Sequence, residues 1–424
     1  MRTLDRPLPA ITLDPDAFAS WAVRPVVAIE SSKPPPYGWD SGTVWDDATA
    51  VWDAPSVSPG WVDATCDLTG CEITFDPPDD ANNFPAGHAI IQLDNRSGRW
   101  ASYNADGSPT DFGAGQQVWI WATDRAAGQW WLFAGRVARW DERFGDTIEV
   151  ECFDYLSDLA SPVGTFTPGT ADETPGPRLT AITALAAGGA SGYRTRYAPG
   201  AVHLTRQPTE RAPLEEAQIV VQSDGGVLYG DADGTVVSTD RLWRAGRTDQ
   251  TVFPVVSTNV CGTGAIVLWD PVLSTTDTAM ASTVTLENVA GLKATATHAG
   301  PPYVLAYQDQ QWTAQVEGDT LAAAMVAQLW QARLSIDSAD IYVHTGLWPV
   351  VDWRRGDRIR LLHDAKTPGG VARVDIDAML INLAHAFTPD GWVLTFGTTR
   401  ALAYYTTTTW DSGAVWDGGA TWGY

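Results

Sequence analysis

The sequence predicts a mainly β protein with α+β insertions, flanked by extended, tryptophan-rich N- and C-terminal arms. Apolar residues alternate in short runs over most of residues 61–160 and again over 341–400, which is the period of a β-strand. Helical spacing is confined to a few segments between these two regions. A Trp-Asp motif recurs near both ends of the chain. Together these observations predict a β core between two arms.

The charge balance excludes one large class of function. The chain has 424 residues, with 51 Asp plus Glu against 27 Lys plus Arg, and a formal net charge of −24. Phosphate binding draws on Lys and Arg, so this overall charge excludes a protein that grips nucleic acid. A content of 44% hydrophobic and 18% charged residues predicts a globular chain rather than a disordered one. At roughly 100–200 residues per domain, we expect two to four domains.

The sequence carries no sign of export or of a membrane span. Its N-terminus lacks the basic and apolar regions of a secretory signal. The most membrane-like run, residues 322–327, is far too short to cross a bilayer. The four cysteines lack the CxxC spacing of a zinc site and are too few for a disulfide scaffold. We interpret Cys66 and Cys71 as reduced thiols on neighbouring strands, although a hairpin could place them opposite one another.

Residues 1–60 are predicted to form an extended arm, because residues 31–60 are rich in Pro, Gly, Ser and Asp. The octad WDSGTVWD begins there at Trp39, and WDSGAVWD begins at Trp410 in a second predicted arm, residues 401–424. Neither arm has enough apolar residues to build a core of its own. Because tryptophan is enriched at protein interfaces, we predict that the aromatic side chains of both arms dock on partner chains. These residues are Trp39, Trp45, Trp52, Trp410, Trp416, Trp422 and Tyr424.

Residues 61–165 are predicted to hold five or six antiparallel strands closed by a short helix, in a barrel or a sandwich. The first two strands form a hairpin around the DLTG turn at 67–70. The predicted strands cover residues 61–65, 72–75, 88–95, 118–122, 130–137 and 147–152, and the helix residues 154–159. Trp119, Trp121, Trp130 and Trp131 occupy both alternate and adjacent positions, so they cannot all face one core. A second surface must therefore cover some of them.

Residues 166–340 mix loops, short helices and strands. An Asp-Gly hairpin is predicted over residues 227–237, and strand-like alternation runs from 250 to 317. The predicted helices run from Pro177 to Ala187, from Leu214 to Gln222 and from Asp319 to Arg333. Residues 341–400 return to strands. This order places a mixed α+β region between two regions of strands.

The sequence contains no motif that we can assign to catalysis, a metal or a cofactor. HExxH, GxSxG and GxxxxGK[ST] are absent, and no two histidines are spaced three or four residues apart. We interpret Asp231 and Asp233 as part of a hairpin turn rather than a calcium loop. Arg355-Gly356-Asp357 is interpreted as a tight turn entering a strand rather than an adhesion motif. We therefore predict no catalytic residue, no metal ligand and no cofactor.

Seven short runs of the sequence carry a family resemblance. They are WVDATCDL from Trp61, AIIQLDNRSGRW from Ala89, LFAGRV from Leu132, VECFDYLSDLA from Val150, VVQSDGGVLYGDADGTV from Val220, GDRIRL from Gly356 and DGWVLTFG from Asp390. In this order they resemble the tail hub proteins, the minor tail proteins at the tip of long, non-contractile-tailed bacteriophages. The resemblance spans residues 61 to 400.

The resemblance implies a fold and an assembly. Each subunit would contain two β-barrels of the tail-tube type, the first over residues 61–165. Residues 166–340 would form the hub insertion and part of the second barrel, and residues 341–400 would supply its closing strands. Three subunits would form a homotrimer whose six barrels match the sixfold tail tube. Related hubs often carry a C-terminal peptidase or glycosidase, for which the segment after the last hub-like strand is too short, so we expect no enzyme.

The resemblance also implies partners and a location. The protein would lie at the distal tail tip of the virion, after assembly in the bacterial cytoplasm. Its partners would be the distal tail protein ring, the C-terminus of the tape-measure protein and other tail-tip or receptor-binding proteins. DNA would pass only transiently, and no part would insert stably in a membrane. An acidic wall repels phosphates, so the net charge of −24 is consistent with the lining of a DNA exit channel.

Two alternatives come from other classes of protein. Exposed tryptophans stack on sugar rings, so the chain could be a tip protein that binds host cell-wall glycans. An unrecognised pair of acidic residues could instead hydrolyse the cell wall. Carboxylates are so plentiful in this sequence that their presence does not distinguish this last hypothesis.

Overall fold

Strands dominate the architecture of the protein, which we describe from a computed structural model. The structure describes residues 23–31, 60–77, 84–104, 110–124, 129–143, 146–160, 166–167, 173–186, 194–205, 210–240, 255–257, 266–276, 281–299, 303–329, 333–343, 348–367 and 370–400. The strands are β1 (Val23–Ser31), β2 (Gly60–Asp63), β3 (Leu68–Phe75), β4 (His88–Asp94), β5 (Gln117–Asp124), β6 (Gln129–Arg143), β7 (Thr147–Asp154), β8 (Arg194–Tyr197), β9 (Leu228–Gly230), β10 (Thr235–Ser238), β11 (Val255–Ser257), β12 (Ile266–Val267), β13 (Trp269–Thr276), β14 (Thr283–Asn288), β15 (Lys293–Thr297), β16 (Val304–Gln310), β17 (Arg333–Tyr342), β18 (Arg358–Thr367), β19 (Gly370–Thr388) and β20 (Gly391–Arg400). The helices are α1 (Pro175–Ala186), α2 (Pro213–Gln222) and α3 (Gln315–Leu329). The predicted mainly β class with α+β insertions is confirmed.

The first strand group comprises β1 to β7, in the order β3-β4-β7-β6-β5-β1-β2, with every pair antiparallel. Strands β4 to β7 lie where alternation of apolar residues predicts them. In β7, for example, half-buried and buried residues alternate along the whole strand, as expected when one face of a pleated strand packs on a core. A short 3-10 helix, Ser157–Ala160, follows β7 at the predicted helical segment.

The predicted hairpin around DLTG is wrong. Residues 65–67 form a 3-10 turn, and β2 pairs with β1 rather than with β3. Local hydrogen bonds explain the difference: Asp63 Oδ1 accepts the amide of Thr65 at 2.9 Å, and Thr65 Oγ1 accepts the amide of Val27 at 3.0 Å. These bonds turn the chain away from β2 before β3 begins.

The two cysteines beside this turn do not lie on neighbouring strands. Cys66 is exposed in the 3-10 turn, whereas Cys71 is buried in β3. Both are free thiols, as is Cys152. Burial raises the pKa of the Cys71 thiol well above its usual value. The interpretation of Cys66 and Cys71 as unpaired thiols therefore agrees with the structure, but their predicted placement does not.

The second strand group comprises β11 to β13 and β17 to β20. Strand β18 pairs with β11 and β19, β19 with β20, β20 with β17, and β17 with β13. The long strand β19 also pairs with β3 over Leu383–Phe387, so the two groups form one 14-stranded sheet. Among the described residues the sheet does not close on itself. The structure therefore shows two strand groups joined through β3 and β19, and the two closed barrels of the prediction are not observed.

The insertion comprises α1 to α3 and two small sheets. The first sheet has the order β8-β10-β9, and the second β15-β14-β16. Helices α1 and α2 and the β9–β10 hairpin lie where they were predicted. Helix α3 begins at Gln315, earlier than predicted, because the Glu317 carboxylate accepts the amides of Thr313 and Ala314 and so caps the helix start. No helix in the described part of the chain is long and apolar enough to cross a membrane.

The sheet has a core on each face. We call the one enclosed by the two strand groups the inner core, and the one between the first strand group and the insertion the insertion core. Trp130 lies in the inner core, whereas Trp119, Trp121 and Trp131 lie in the insertion core. The second surface that these tryptophans require is therefore supplied by the chain's own insertion.

Part of the predicted N-terminal arm belongs to the sheet. Residues 23–31 form β1, which pairs with β5 on one side and β2 on the other. Val26, Val27, Ala28 and Ile29 are buried. For this segment the extended-arm prediction is wrong, because a strand buried on both faces has a continuous apolar run that does not alternate. The rest of residues 1–60, apart from Gly60, lies outside the described residues.

Candidate assembly surface

An exposed apolar patch lies on the β13 edge of the sheet. Trp269 is 62% exposed, and Val272 and Tyr342 are each 50% exposed. The Trp269 and Tyr342 rings meet edge to face, with centroids 5.8 Å apart, a favourable geometry for an aromatic pair. We call these three residues the edge patch.

The strand register places the edge patch on one face. Trp269 lies opposite Asp340, and Tyr342 is two residues further along β17, so the two rings point the same way. The intervening Ile341 is fully buried in the inner core. Val272 is paired with β17 two residues before Asp340 and shares the outer face. The edge patch is therefore the outer surface of β13 and β17, opposite the inner core.

A distortion in β13 determines how this edge can be used. Asp270 has a positive φ of 44°, and the register shifts between Trp269 and Val272. Such bulges twist an edge strand and hinder the addition of a further strand. Among the described residues no strand pairs with the outer side of β13. The edge patch is thus suited to contacts through its side chains rather than through its backbone.

The edge patch has acidic neighbours: Asp340 lies opposite Trp269, and the exposed Asp270 follows Trp269 in the chain. The Asp340 carboxylate accepts a hydrogen bond from the Thr395 hydroxyl at 2.7 Å. The rings themselves carry no charge, whereas the chain as a whole has a net charge of −24. Like charges repel when two acidic surfaces meet. An uncharged segment therefore meets less repulsion at the edge patch than an acidic one.

A second feature fixes the insertion against the sheet. The guanidinium of Arg355, just before β18, lies over the rings of Phe75, Phe84 and Tyr229 at 4.9, 5.0 and 5.1 Å from their centroids. It also donates to the carbonyl of Gly230 at 2.6 Å. We call this cluster the arginine junction. It joins three parts of the chain: the first strand group, the second strand group and the β9–β10 hairpin of the insertion.

Two buried carboxylates complete the arginine junction. Asp154, at the end of β7, accepts the amides of Gly87 and Leu156 at 2.7 and 2.9 Å. Burial raises the pKa of Asp154 to about 6. Burial would also raise the pKa of Asp231, but Arg354 and Arg196 outweigh it and lower this pKa to about 2. Asp231 therefore remains a carboxylate that bridges the sheet and the insertion.

The close approach of the hairpin to Asp154 explains one glycine of the GDADG run. A Cβ on Gly230 would lie 2.1 Å from a carboxylate oxygen of Asp154, far inside van der Waals contact. Asp231 pairs with Arg196 and Arg354, and Asp233 Oδ1 accepts the amide of Thr235. No cluster of three or more potential metal ligands occurs among the described residues. The interpretation of this run as a hairpin turn is confirmed.

The Arg355-Gly356-Asp357 segment is also a turn, as predicted. Gly356 has a φ of 84°, and Asp357 Oδ2 accepts the amide of Arg354 at 2.9 Å. Both Arg355 and Asp357 are buried. The role of Arg355 in the junction could not be predicted, because its ring partners lie far away in the sequence, around the first strand group and in the β9–β10 hairpin. A cavity of about 10 Å³ beside it has room for about one water molecule.

The seven predicted docking residues lie outside the described residues, but the structure shows where their segments attach. Ser31 pairs with Gly60, so the segment with Trp39, Trp45 and Trp52 connects two neighbouring strands. The segment with Trp410, Trp416, Trp422 and Tyr424 follows the end of β20. The edge patch was not predicted from the sequence. Its only signal is Trp269 beside Asp270-Pro271, a combination that disrupts the alternation of a strand.

Comparisons with known proteins identify the fold. No protein-family model matches this sequence, and no curated protein sequence matches it significantly. The 43 kDa tail protein of prophage MuSo2 from Shewanella oneidensis is similar in structure, with 14% identity and a TM-score of 0.52 over 89% of this chain and 99% of that one. A tail protein from Neisseria meningitidis MC58 is similar, with 13% identity and a TM-score of 0.54 over 78% of this chain and 92% of that one. The resemblance to tail proteins is thus confirmed at the level of the fold.

Proposed function

We propose that this chain is a structural, non-enzymatic virion protein that forms a trimeric hub at the distal tip of a bacteriophage tail. The observation that carries the proposal is the fold shared with two tail proteins over almost the whole length of each. The seven sequence runs that resemble tail hub proteins support the more specific role. The partners would be the distal tail protein ring, the tape-measure protein and other tip proteins.

The sheet architecture is compatible with a change of symmetry at the tip. Each chain carries two strand groups joined through β3 and β19, so three chains would present six groups to a sixfold tube. The arginine junction would hold the insertion in one position on this frame. A buried guanidinium with aromatic, carbonyl and carboxylate neighbours is costly to remove. The insertion would therefore move with the sheet as one body during assembly.

The two Trp-Asp segments would dock on neighbouring tail proteins. The residues proposed to make these contacts remain Trp39, Trp45, Trp52, Trp410, Trp416, Trp422 and Tyr424. The pairing of Ser31 with Gly60 brings together the two ends of the first segment. Because these ends are already fixed, ordering the segment on a partner loses less chain entropy than ordering a single-ended tail.

The acidic charge would keep passing DNA from adhering to the hub. A net charge of −24 on each chain repels phosphates wherever acidic residues face the channel. Replacing channel-facing Asp and Glu residues by Asn and Gln should slow DNA ejection in single-virion assays. Unchanged ejection by such a variant, or acidic residues confined to the outside of the hub, would remove this part of the proposal.

Electron microscopy of purified virions tests the proposal directly. We expect three copies of the protein at the distal tail tip. Absence from the tip, or a different copy number, would refute the hub.

A phage whose chain stops after Arg400 tests the docking role of the second segment: the core should fold, but tail assembly should fail. Wild-type infectivity of this phage would refute that role.

One observation favours the glycan-binding alternative, namely the exposed indole ring of Trp269. Exposed indoles stack on sugar rings. If the chain binds host glycans, the purified protein should bind cell-wall polysaccharide, and replacing Trp39, Trp269 or Trp410 by Ala should weaken binding. Absence of binding by the wild-type chain would eliminate this alternative and leave the hub proposal intact.

A further inference from the structure

We propose that the chain's own C-terminal segment, residues 401–424, docks on the edge patch of the same copy. The inference rests on the docking role proposed above for the aromatic residues of this segment. It adds a surface of the chain itself, formed by Trp269, Val272 and Tyr342, on which the inner side of the segment packs. The segment would thereby be ordered on the sheet, and only its outer side would face neighbouring tail proteins.

The distance from the end of β20 to the edge patch is short enough for residues 401–410 to span it. Trp269, Asp340 and Thr395 lie in one row across β13, β17 and β20, so Trp269 is two strand spacings, about 10 Å, from Thr395. Arg400 lies five residues further along β20, a distance of about 17 Å. The end of β20 is therefore about 20 Å from Trp269. The ten residue steps from Arg400 to Trp410 span up to about 33 Å, so Trp410 can reach the edge patch.

The composition of the segment matches the edge patch. Residues 401–410, ALAYYTTTTW, contain no charged side chain, so they bring no negative charge to a patch whose neighbours Asp270 and Asp340 are acidic. Asp411, the first acidic residue, comes only after Trp410. Three of the residues between Trp410 and Trp416 are the small Ser412, Gly413 and Ala414, which leave room for both rings to approach the patch. Contact through rings also fits the bulge at Asp270, which hinders the backbone of an added strand.

The first Trp-Asp segment is a poorer occupant. Its ends are fixed at Ser31 and Gly60, on strands β1 and β2. In the strand order of the sheet, these strands lie at the end opposite to β13. The C-terminal segment instead begins on β20, two strands from β13. The geometry of the sheet therefore assigns the edge patch to residues 401–424.

Photo-crosslinking of the full-length protein tests the placement. A photoreactive phenylalanine derivative replaces Trp269, and crosslinked peptides are mapped by mass spectrometry in a mixture of isotopically light and heavy protein. We expect crosslinks to residues 401–424 with both peptides from the same isotopic pool. A matched control places the same group at Tyr303, which is 42% exposed on the insertion and should give no such crosslink. Crosslinks between pools, to other segments or to none would overturn the proposal.

Hydrogen exchange gives a second, independent measurement. In the wild-type chain we expect amides within residues 401–416 to exchange at least tenfold more slowly than in the Trp269→Ser/Tyr342→Ser variant. The Tyr303→Ser variant should retain the wild-type rates. Equal exchange in all three proteins would overturn the proposal. If the three proteins exchange equally but truncation after Arg400 still prevents assembly, the segment keeps its docking role, and the surface on which it docks is not the edge patch.

Discussion

The inner core and the insertion core meet at the same strands but are built in different ways. The inner core is enclosed by strands whose alternate residues face it, and all of these strands pair antiparallel except β11 with β12 and β18. The insertion core packs the other face of the first strand group against helices and two three-stranded sheets. Adjacent residues of β6, Trp130 and Trp131, enter different cores. One face of a sheet can therefore be predicted from alternation, whereas the partner of the other face depends on distant segments.

The insertion core also contains a network of buried polar contacts. In the insertion, the fully buried Arg178 pairs with Glu173 and donates to Thr205 O and Gln311 Oε1 at 2.9 and 3.0 Å. Gln311 in turn donates to the buried Glu216 at 2.7 Å. Networks of this kind stabilise one arrangement and penalise others, because any lost partner leaves a buried polar group. Polar contacts therefore hold the insertion core in one arrangement, in addition to its apolar packing.

A matched pair of tryptophan truncations should separate the two cores and give the largest effects. Trp312→Ala leaves a cavity in the insertion core, and Trp392→Ala leaves a cavity in the inner core. Both rings are almost completely buried. Each should lower the free energy of unfolding by about 3–5 kcal/mol. Hydrogen exchange should show that Trp312→Ala deprotects α1 to α3 more than β19 and β20. Equal deprotection of both regions would mean that the cores unfold as one unit.

Breaking the arginine junction should have the next largest effect. Arg355→Met keeps the side-chain volume but leaves Asp154 without its buried cation, which should cost about 3 kcal/mol in urea unfolding. Arg360→Met is the control, because Arg360 forms an exposed pair with Asp375 and should cost less than about 1 kcal/mol. Equal losses in the two variants would show that the junction does not hold the insertion to the sheet.

The buried His385 should make the inner core sensitive to acid. Burial lowers its pKa from 6.5 to about 4, so the unfolded chain binds a proton between these pH values and the folded chain does not. Stability should therefore fall as pH falls from about 6.5 to 4, by roughly 2–3 kcal/mol from this group. His385→Phe should remove this component.

The measurement is the difference between the wild-type and His385→Phe unfolding curves across this range. The difference is needed because Asp154, with its pKa raised to about 6, acts in the opposite direction: its contribution to stability declines as pH rises from about 4 to 6. Asp154 is present in both proteins, so its effect cancels. A difference that is constant with pH would contradict the assignment to His385.

Changes in the edge patch should have the smallest effect on stability. Trp269 and Tyr342 lie outside both cores, so in a chain that ends at Arg400 their replacement by Ser should alter the free energy of unfolding by less than about 0.5 kcal/mol each. In the full-length chain the loss should be larger, because residues 401–424 cover the patch; equal losses in the two chains would contradict this coverage. Chemical unfolding of the four combinations measures this coupling as a double-mutant cycle.

The sequence by itself determined the mainly β class, most strand positions in β4 to β7, helices α1 and α2, and the turns at 230–234 and 355–357. These features depend on local periodicity and on glycine and aspartate at turns, which short segments encode. It did not determine β1, whose two buried faces remove alternation, nor the partner of β2, which hydrogen bonds around Thr65 select.

Only the tertiary structure decided which surfaces meet. It showed that Trp119, Trp121 and Trp131 are covered by the insertion, that Arg355 joins three separate segments, and that Trp269 and Tyr342 form an exposed patch. These contacts join residues far apart in the chain, and no local pattern specifies such pairs. The sequence therefore established the strands and turns, and the packing of the sheet between two cores established the candidate assembly surface.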